Sequence, residues 1–115
     1  MNSMTEYLKH KILKETLIDK QVYVGLFTTG GEVNKASYKR MPINFTTPVN
    51  GQIVNSASVF FPDAQEIWGD IAKIGLFDAQ VGGNLLFVDT AQEVKTVGIA
   101  NQYHIPPNYM IVGLM

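Results

Sequence analysis

The chain has 115 residues, no cysteine and a net charge of −1, with 46% hydrophobic and 17% charged residues. This composition is too apolar for a disordered chain, and the lack of cysteine excludes disulfides, thiolate metal sites and a cysteine nucleophile. Residues 1–40 hold seven Lys or Arg against four Asp or Glu, and residues 41–115 hold two against six, which is far from the strong basic excess expected of a nucleic-acid binder.

These bounds predict a single domain over residues 1–115 that has no nucleic-acid partner. No apolar run approaches the roughly 20 residues of a membrane span, and the polar first residues do not resemble a signal peptide. We therefore expect a soluble protein that neither enters a membrane nor carries an export signal.

The N-terminal segment carries the clearest helix signal. Ser3 and Glu6 have the spacing of a capping box, in which both side chains bond to free backbone N–H groups of the first turn. Apolar residues then recur three and four positions apart, which predicts a helix over about residues 4–16. Its apolar stripe would either pack on a sheet or form a seam between subunits. The candidate seam residues are Met4, Tyr7, Leu8 and Ile12.

Seven or eight short strands are predicted after the helix. Val22 to Phe27 is rich in β-branched and aromatic residues and could be buried on both faces, which indicates a central strand. The other candidates are Lys39 to Thr46, Asn55 to Phe61, Ile71 to Phe77, Asn84 to Val88, Glu93 to Val97 and Tyr109 to Leu114. We predict a mainly β fold: a single antiparallel β-sandwich or barrel-like domain over about residues 21–115, behind the short helix.

The stretch from Trp68 to Asp89, WGDIAKIGLFDAQVGGNLLFVD, combines an aromatic-glycine pair, a Phe-Asp turn and a double glycine in about a fifth of the chain. We interpret it as a central hairpin, in which the strand that ends at Phe77 pairs with Leu85 to Val88. Asp78 can accept hydrogen bonds from the turn backbone, and the double glycine can take positive φ. We expect Trp68 to cover the core at the start of the hairpin rather than to serve as a platform for a sugar.

Motifs for catalysis and metal binding are missing from the sequence. His10 and His104 have no partner at a metal-ligand spacing. The acids from Asp63 to Asp78 fit neither a calcium loop nor a glycosidase pair, so we interpret them as parts of solvated turns. No serine has a nucleophile elbow, and neither glycine pair has the features of a phosphate loop. We predict no enzyme activity, no cofactor and no catalytic or metal-binding residue.

A set of landmarks recurs in order along the chain: Tyr23 to Thr28, Glu32-Val33, Tyr38, Arg40, Phe45, Asn50-Gly51, Asn55 to Ala57, Phe61-Pro62, Trp68-Gly69, Ile74 to Ala79 and Gly82 to Leu86. Taken together, these landmarks resemble a family of small bacteriophage and prophage tail proteins. The resemblance covers nearly the whole chain and depends on the ordered set more than on any one landmark. Gln92 to Lys95 and Pro106 to Asn108 depart from the family pattern, so we expect a different surface at that edge.

The resemblance implies a non-enzymatic structural part of a tail fibre or tail tip, made in the bacterial cytoplasm and placed in the virion tail. It also implies contact with other tail proteins and a homo-oligomer, with a trimer favoured. The alternative is a module, of phage or prophage origin, that binds a receptor or glycan on the bacterial surface. That function needs exposed aromatic rings. The candidate ligand-facing residues are Tyr38, Tyr103 and Tyr109.

Overall fold

The computed structural model describes residues 4–114 and contains one N-terminal helix followed by nine antiparallel strands. Helix α1 spans Glu6–Leu13 and continues directly into a π-helical segment, Lys14–Ile18. The strands are β1 (Val22–Thr28), β2 (Gly31–Glu32), β3 (Met41–Ile43), β4 (Gln52–Val54), β5 (Val59–Phe60), β6 (Gly69–Phe77), β7 (Leu85–Val97), β8 (His104–Ile105) and β9 (Ile111–Gly113). The predicted mainly β fold behind a short helix is confirmed.

The strands form one large sheet and two small ones. The large sheet has the order β2-β1-β6-β7, and β3 pairs with the first half of β1 on the same edge as β2. β4 pairs with β9, and β5 pairs with β8. One hydrophobic core joins the helix to all three sheets, through residues such as Leu17, Leu26, Ile53 and Ile105. None of the three sheets closes on itself, so the described residues form open antiparallel sheets around one core and contain no closed barrel.

The helix begins later than predicted and packs through its C-terminal end. Thr5 is the N-cap, and its Oγ1 accepts a hydrogen bond from the backbone N–H of Leu8 at 3.2 Å. The Ser3 side of the predicted capping box lies outside the described residues. Leu13 and Leu17, which are four positions apart, are buried in the core. Tyr7 and Leu8 are 75% and 40% exposed, so the first turns of α1 leave apolar surface in water.

Two of the last predicted strands are continuous in the structure. The two strands predicted at residues 84–88 and 93–97 are one strand, β7, that is interrupted by an irregular bulge of several residues. The register changes there from Lys73 opposite Thr90 to Ile71 opposite Lys95, so a single residue of β6 faces four of β7. The unpredicted strands β2, β4 and β8 have only two or three residues, too few for a periodic pattern.

Two Gly-Leu-Phe triplets meet at their glycines at the centre of the large sheet. Gly25 of β1 lies opposite Gly75 of β6. The rings of Phe27 and Phe77 stack over this pair at 5.9 Å between centroids. A Cβ added at Gly75 would lie 2.7 Å from Phe27 Cε1, and one at Gly25 would lie 2.8 Å from Phe77 Cε1. The two glycines therefore leave the space in which the two rings lie flat against the sheet.

The predicted central hairpin is confirmed, with β6 and β7 paired from Phe77 and Leu85 onward. Asp78 Oδ1 accepts a hydrogen bond from the backbone N–H of Asn84 at 2.7 Å, and Gly82 and Gly83 have φ of 68° and 69°. This bond and the side-chain bond from Asn84 hold the pKa of Asp78 below its usual range. Trp68 is 4% exposed and belongs to the core, as expected.

Candidate functional site

A cleft of about 310 Å³ opens between the edge strand β7 and the C-terminal strand β9. Ile74, Met110 and Val112 line it and are all buried, so its floor is apolar. Its other lining residues are Phe87, Val88, Asp89, Thr90, Gln92, Tyr109, Ile111 and Gly113. Asp89 is the one charged residue among them. The cleft is therefore suited to an apolar group that is neutral or carries a positive charge.

Tyr109 connects the two walls of the cleft. Its Oη accepts a hydrogen bond from the backbone N–H of Gln92 at 3.0 Å, and Gln92 Nε2 donates to its carbonyl oxygen at 3.2 Å. Gln92 lies in the bulge of β7, where the backbone leaves its regular register. The bulge thus turns a backbone donor toward the C-terminal segment and fixes the width of the cleft at this end.

Asn55 holds the C-terminal wall of the cleft in place. Its side chain is fully buried and makes four hydrogen bonds to the backbone. Nδ2 donates to the carbonyl oxygens of Ala57 and Pro106 at 3.0 and 2.8 Å, and Oδ1 accepts from the N–H groups of Tyr109 and Met110 at 2.9 and 2.8 Å. Both hydrogens of the amide nitrogen are donated, and the amide oxygen accepts two hydrogen bonds. The buried side chain therefore has no unpaired polar group, which offsets the cost of its burial. Sequence reasoning used Asn55 only as a landmark, because a single buried amide leaves no periodic signal.

The three predicted ligand-facing aromatics lie in different surroundings. Tyr109 lines the cleft and is half-buried. Tyr103 is 3% exposed and lies in the core, and burial raises its pKa. The expectation of an open ring at Tyr103 is therefore not met. Tyr38 packs against Phe61 and, edge to face, against Trp68. It is partly buried, and its ring packs against the hydrophobic core.

The hydroxyl of Tyr38 belongs to a charged network beside β1 and β2, far along the sheet from the cleft at β7. It donates to Glu32 Oε2 at 2.6 Å and accepts from the N–H of Leu26 at 3.0 Å. Arg40 binds both oxygens of Glu32, at 2.8 and 2.9 Å, and its guanidinium lies 3.4 Å from the centroid of the Phe77 ring. Burial raises the pKa of Glu32, but the hydrogen bonds from Arg40 and Tyr38 and the charge of Arg40 outweigh it and lower the pKa.

Glu32 predicts a loss of stability in acid. A carboxyl with a lowered pKa in the folded state stabilises the fold above its unfolded pKa, and this contribution is lost as the pH falls below about 4. We expect Glu32→Gln to be less stable than the wild type at pH 7 and to lose less stability between pH 5 and pH 3. Urea unfolding at these pH values measures both differences. The exposed Glu93→Gln is the control, and equal pH slopes for Glu32→Gln and the wild type would contradict the prediction.

Glu66 and Asp70 accept hydrogen bonds from neighbouring segments of the chain. Glu66 accepts hydrogen bonds from both the backbone N–H and the hydroxyl of Ser37, which lowers its pKa, and the same hydroxyl accepts from Trp68 Nε1 at 3.0 Å. Asp70 accepts from the hydroxyl of Thr96 at 2.5 Å. Within residues 4–114, no three His, Cys, Asp or Glu side chains lie close enough together to hold a metal ion. The same residues include no helix with the length and apolarity needed to cross a membrane.

The four predicted seam residues are here called the helix patch: Tyr7, Leu8 and Ile12 lie in α1, and Met4 lies just before its N-cap. Tyr7 and Leu8 are exposed, whereas Met4 and Ile12 are half-buried. Lys9 lies on the other side of the helix, where its side chain is only 18% exposed. The structure thus leaves the Tyr7 and Leu8 part of the patch accessible to solvent.

Comparisons with known proteins agree with the landmarks along the chain. No curated protein gives a significant match. A family model described as "Podophage GP4 fiber I protein gp80" matches residues 3–113, which is almost the full length. The match confirms the resemblance to phage tail fibre proteins. The chain belongs to the family of the podophage GP4 fiber I protein gp80.

Proposed function

We propose that this chain is a non-enzymatic structural subunit of a phage tail fibre and that it assembles with copies of itself, favouring a trimer, and with other tail proteins. Its membership of a phage fibre family supports a structural place in the virion tail. The observation that supports self-association is the helix patch, where Tyr7 and Leu8 remain 75% and 40% exposed. Two adjacent exposed apolar side chains on a capped helix form a surface that association would remove from water.

The anchoring of the helix supports this role. Leu13 at the end of α1 and Leu17 in the π-helical segment that follows are buried in the core, whereas Tyr7 and Leu8 are not part of it. The Thr5 cap keeps the first turns helical even though they bury little. The patch is therefore presented on a preformed element, which lowers the entropy lost when a partner binds.

Self-association predicts a mass above that of one chain. Light scattering behind size exclusion should give the wild type a multiple of 12.8 kDa, and Tyr7→Ser with Leu8→Glu should shift it to a single chain. Val81→Ser, at an 87% exposed residue of the hairpin turn, is the control and should keep the wild-type mass. A single-chain mass for the wild type at high concentration would contradict the proposal, as would an unchanged mass for the double variant that still melts cooperatively.

The place in the virion can be tested directly. Antibodies raised against the purified protein should label tail appendages in electron micrographs of phage particles from the source of the gene. Particles without label on their tails would contradict a structural role in the fibre. Labelled particles from an induced bacterial culture would show that the gene is carried by a prophage.

A second candidate function is recognition of a bacterial surface glycan. The cleft favours it, because Phe87 and Tyr109 bring aromatic rings to a cavity whose rim carries the polar side chains of Asp89, Thr90 and Gln92. Saturable binding on a glycan array that is lost in Asp89→Asn and Thr90→Ala would support this function. If a folded, assembled protein binds no glycan on the array, the second candidate function is contradicted and the structural role is the one that remains.

A further inference from the structure

We propose that the cleft between β7 and β9 receives the helix patch of a neighbouring copy, so that each subunit offers its helix and accepts another. This inference rests on the self-association proposed above and specifies which two surfaces meet. The contact is between unlike surfaces, the helix of one copy and the cleft of the next. Repeated around an axis, such contacts close into a ring such as the favoured trimer, or into a reciprocal dimer.

The cleft has the shape and charge for such an occupant. Its floor is buried and apolar, and its two lips carry Val88 and Ile111, which are 50% and 54% exposed. Its volume of about 310 Å³ lies at the lower limit for ligand pockets and suits one or two side chains rather than a whole domain. Asp89 supplies the one charge of the lining, and Glu93 follows on the same strand. An occupant with apolar side chains and a neighbouring cation would satisfy both features.

The N-terminal helix offers these groups together. Tyr7, Leu8 and Lys11 are three and four positions apart, so they lie on one face of α1. The Lys11 side chain is 51% exposed, and its ion pair among residues 4–114 is a long contact of 3.9 Å with Glu15. Such an exposed pair contributes little, so Lys11 is available to a stronger partner. The helix therefore brings two apolar groups and a cation to one surface.

The orientation of the helix is set by contacts on its other side. A Cβ at Gly51 would lie 2.7 Å from Lys9 Cδ, so Lys9 packs closely against the turn that leads into β4. The carbonyl oxygen of Gly51 accepts from the N–H of Leu114 at 3.0 Å, just after β9. Through this contact α1 lies beside the turn that precedes β4, and Tyr7 is exposed to solvent.

Charge favours pairing of unlike surfaces over pairing of like ones. Residues 1–40 carry seven basic against four acidic side chains, and residues 41–115 carry two against six. If two helix patches met across a two-fold axis, the two Lys11 side chains would approach each other. If two cleft edges met, the Asp89 carboxylates would do so. Helix against cleft places Lys11 near Asp89 and avoids both repulsions.

A complementation experiment tests the contact. The helix variant carries Tyr7→Ser and Leu8→Glu, and the cleft variant carries Ile111→Ser and Asp89→Lys; all four positions are exposed. Each variant alone should have the mass of one chain by light scattering, whereas an equimolar mixture should form a complex that contains both. A mixture that stays monomeric while both variants melt cooperatively would overturn the proposal.

A charge exchange tests the pair within the contact. Lys11→Glu and Asp89→Lys should each raise the dissociation constant at least tenfold, and the chain that carries both should return to within about threefold of the wild type. Lys20→Glu with Asp63→Lys makes the same charge changes elsewhere and should have little effect. If the wild type assembles but the exchange restores nothing, the helix-to-cleft contact is wrong and self-association stands. A wild type that never assembles contradicts both proposals, and a monomer whose cleft binds glycans favours the second candidate function.

Discussion

Replacing Asn55 with alanine is expected to lower the free energy of unfolding by about 4 kcal/mol, a large part of the roughly 5–15 kcal/mol that stabilises a small domain. The variant removes a fully buried side chain and leaves four backbone groups without its hydrogen bonds, namely the carbonyls of Ala57 and Pro106 and the N–H groups of Tyr109 and Met110. Thermal unfolding followed by circular dichroism should show a midpoint lower by roughly 15 °C.

Two variants sharpen this test. Asn34→Ala removes an exposed amide and should change the free energy of unfolding by less than about 0.5 kcal/mol. Asn55→Asp keeps the acceptor but turns an oxygen toward the carbonyls of Ala57 and Pro106, which disfavours its ionised form and raises its pKa. Its stability should therefore fall as the pH rises above about 4, the reverse of the Glu32 effect. A midpoint that does not depend on pH in this range would contradict the described geometry.

Gly25→Ala is expected to cost about 3 kcal/mol, although it adds a single methyl group. Its Cβ would lie 2.8 Å from Glu32 Oε2, 2.8 Å from Phe77 Cε1 and 2.9 Å from Tyr38 Oη. Since Glu32 and Tyr38 are hydrogen-bonded to each other and to Arg40 and Leu26, they can move only by breaking the network. Urea unfolding of the purified variant measures the loss.

The controls for this prediction come from other glycines. The nearest atom to a Cβ at Gly30 is 3.8 Å away, so Gly30→Ala should be close to neutral. Gly75→Ala should be destabilising because of Phe27 Cε1, and Phe27→Leu should relieve part of that cost, so that the double variant loses less than the sum of the two. Strict additivity would show that the Phe27 ring does not depend on the space above Gly75.

Local patterns in the sequence predict the helix, the central hairpin and most of the long strands. The alternation in β6 and the Asn50-Gly51 turn, where both φ values are positive, depend on neighbours within a few residues. The opposition of Gly25 and Gly75 connects segments 50 positions apart. It depends on register, which no single segment shows.

The candidate site was less predictable for the same reason. Tyr109 was identified as an aromatic residue near the C-terminus, but its place beside Gln92 depends on a bulge that the pattern of β7 indicates only as a break between two strands. Tyr103 differs from Tyr109 in burial and not in chemistry, and burial is set by pairing along β5 and β8. Asn55 acts through bonds to residues more than 50 positions away.

The bonds of Asn55 also determine when the cleft can form during synthesis. Three of its four partners come 51 to 55 residues later in the chain, so closing this wall carries the entropic cost of a long loop and belongs to the late steps of folding. A nascent chain that has released α1 but not yet residue 110 has no completed cleft. Its helix can meet a finished subunit, but two unfinished chains on neighbouring ribosomes cannot join in this way, and assembly therefore follows the completion of at least one chain.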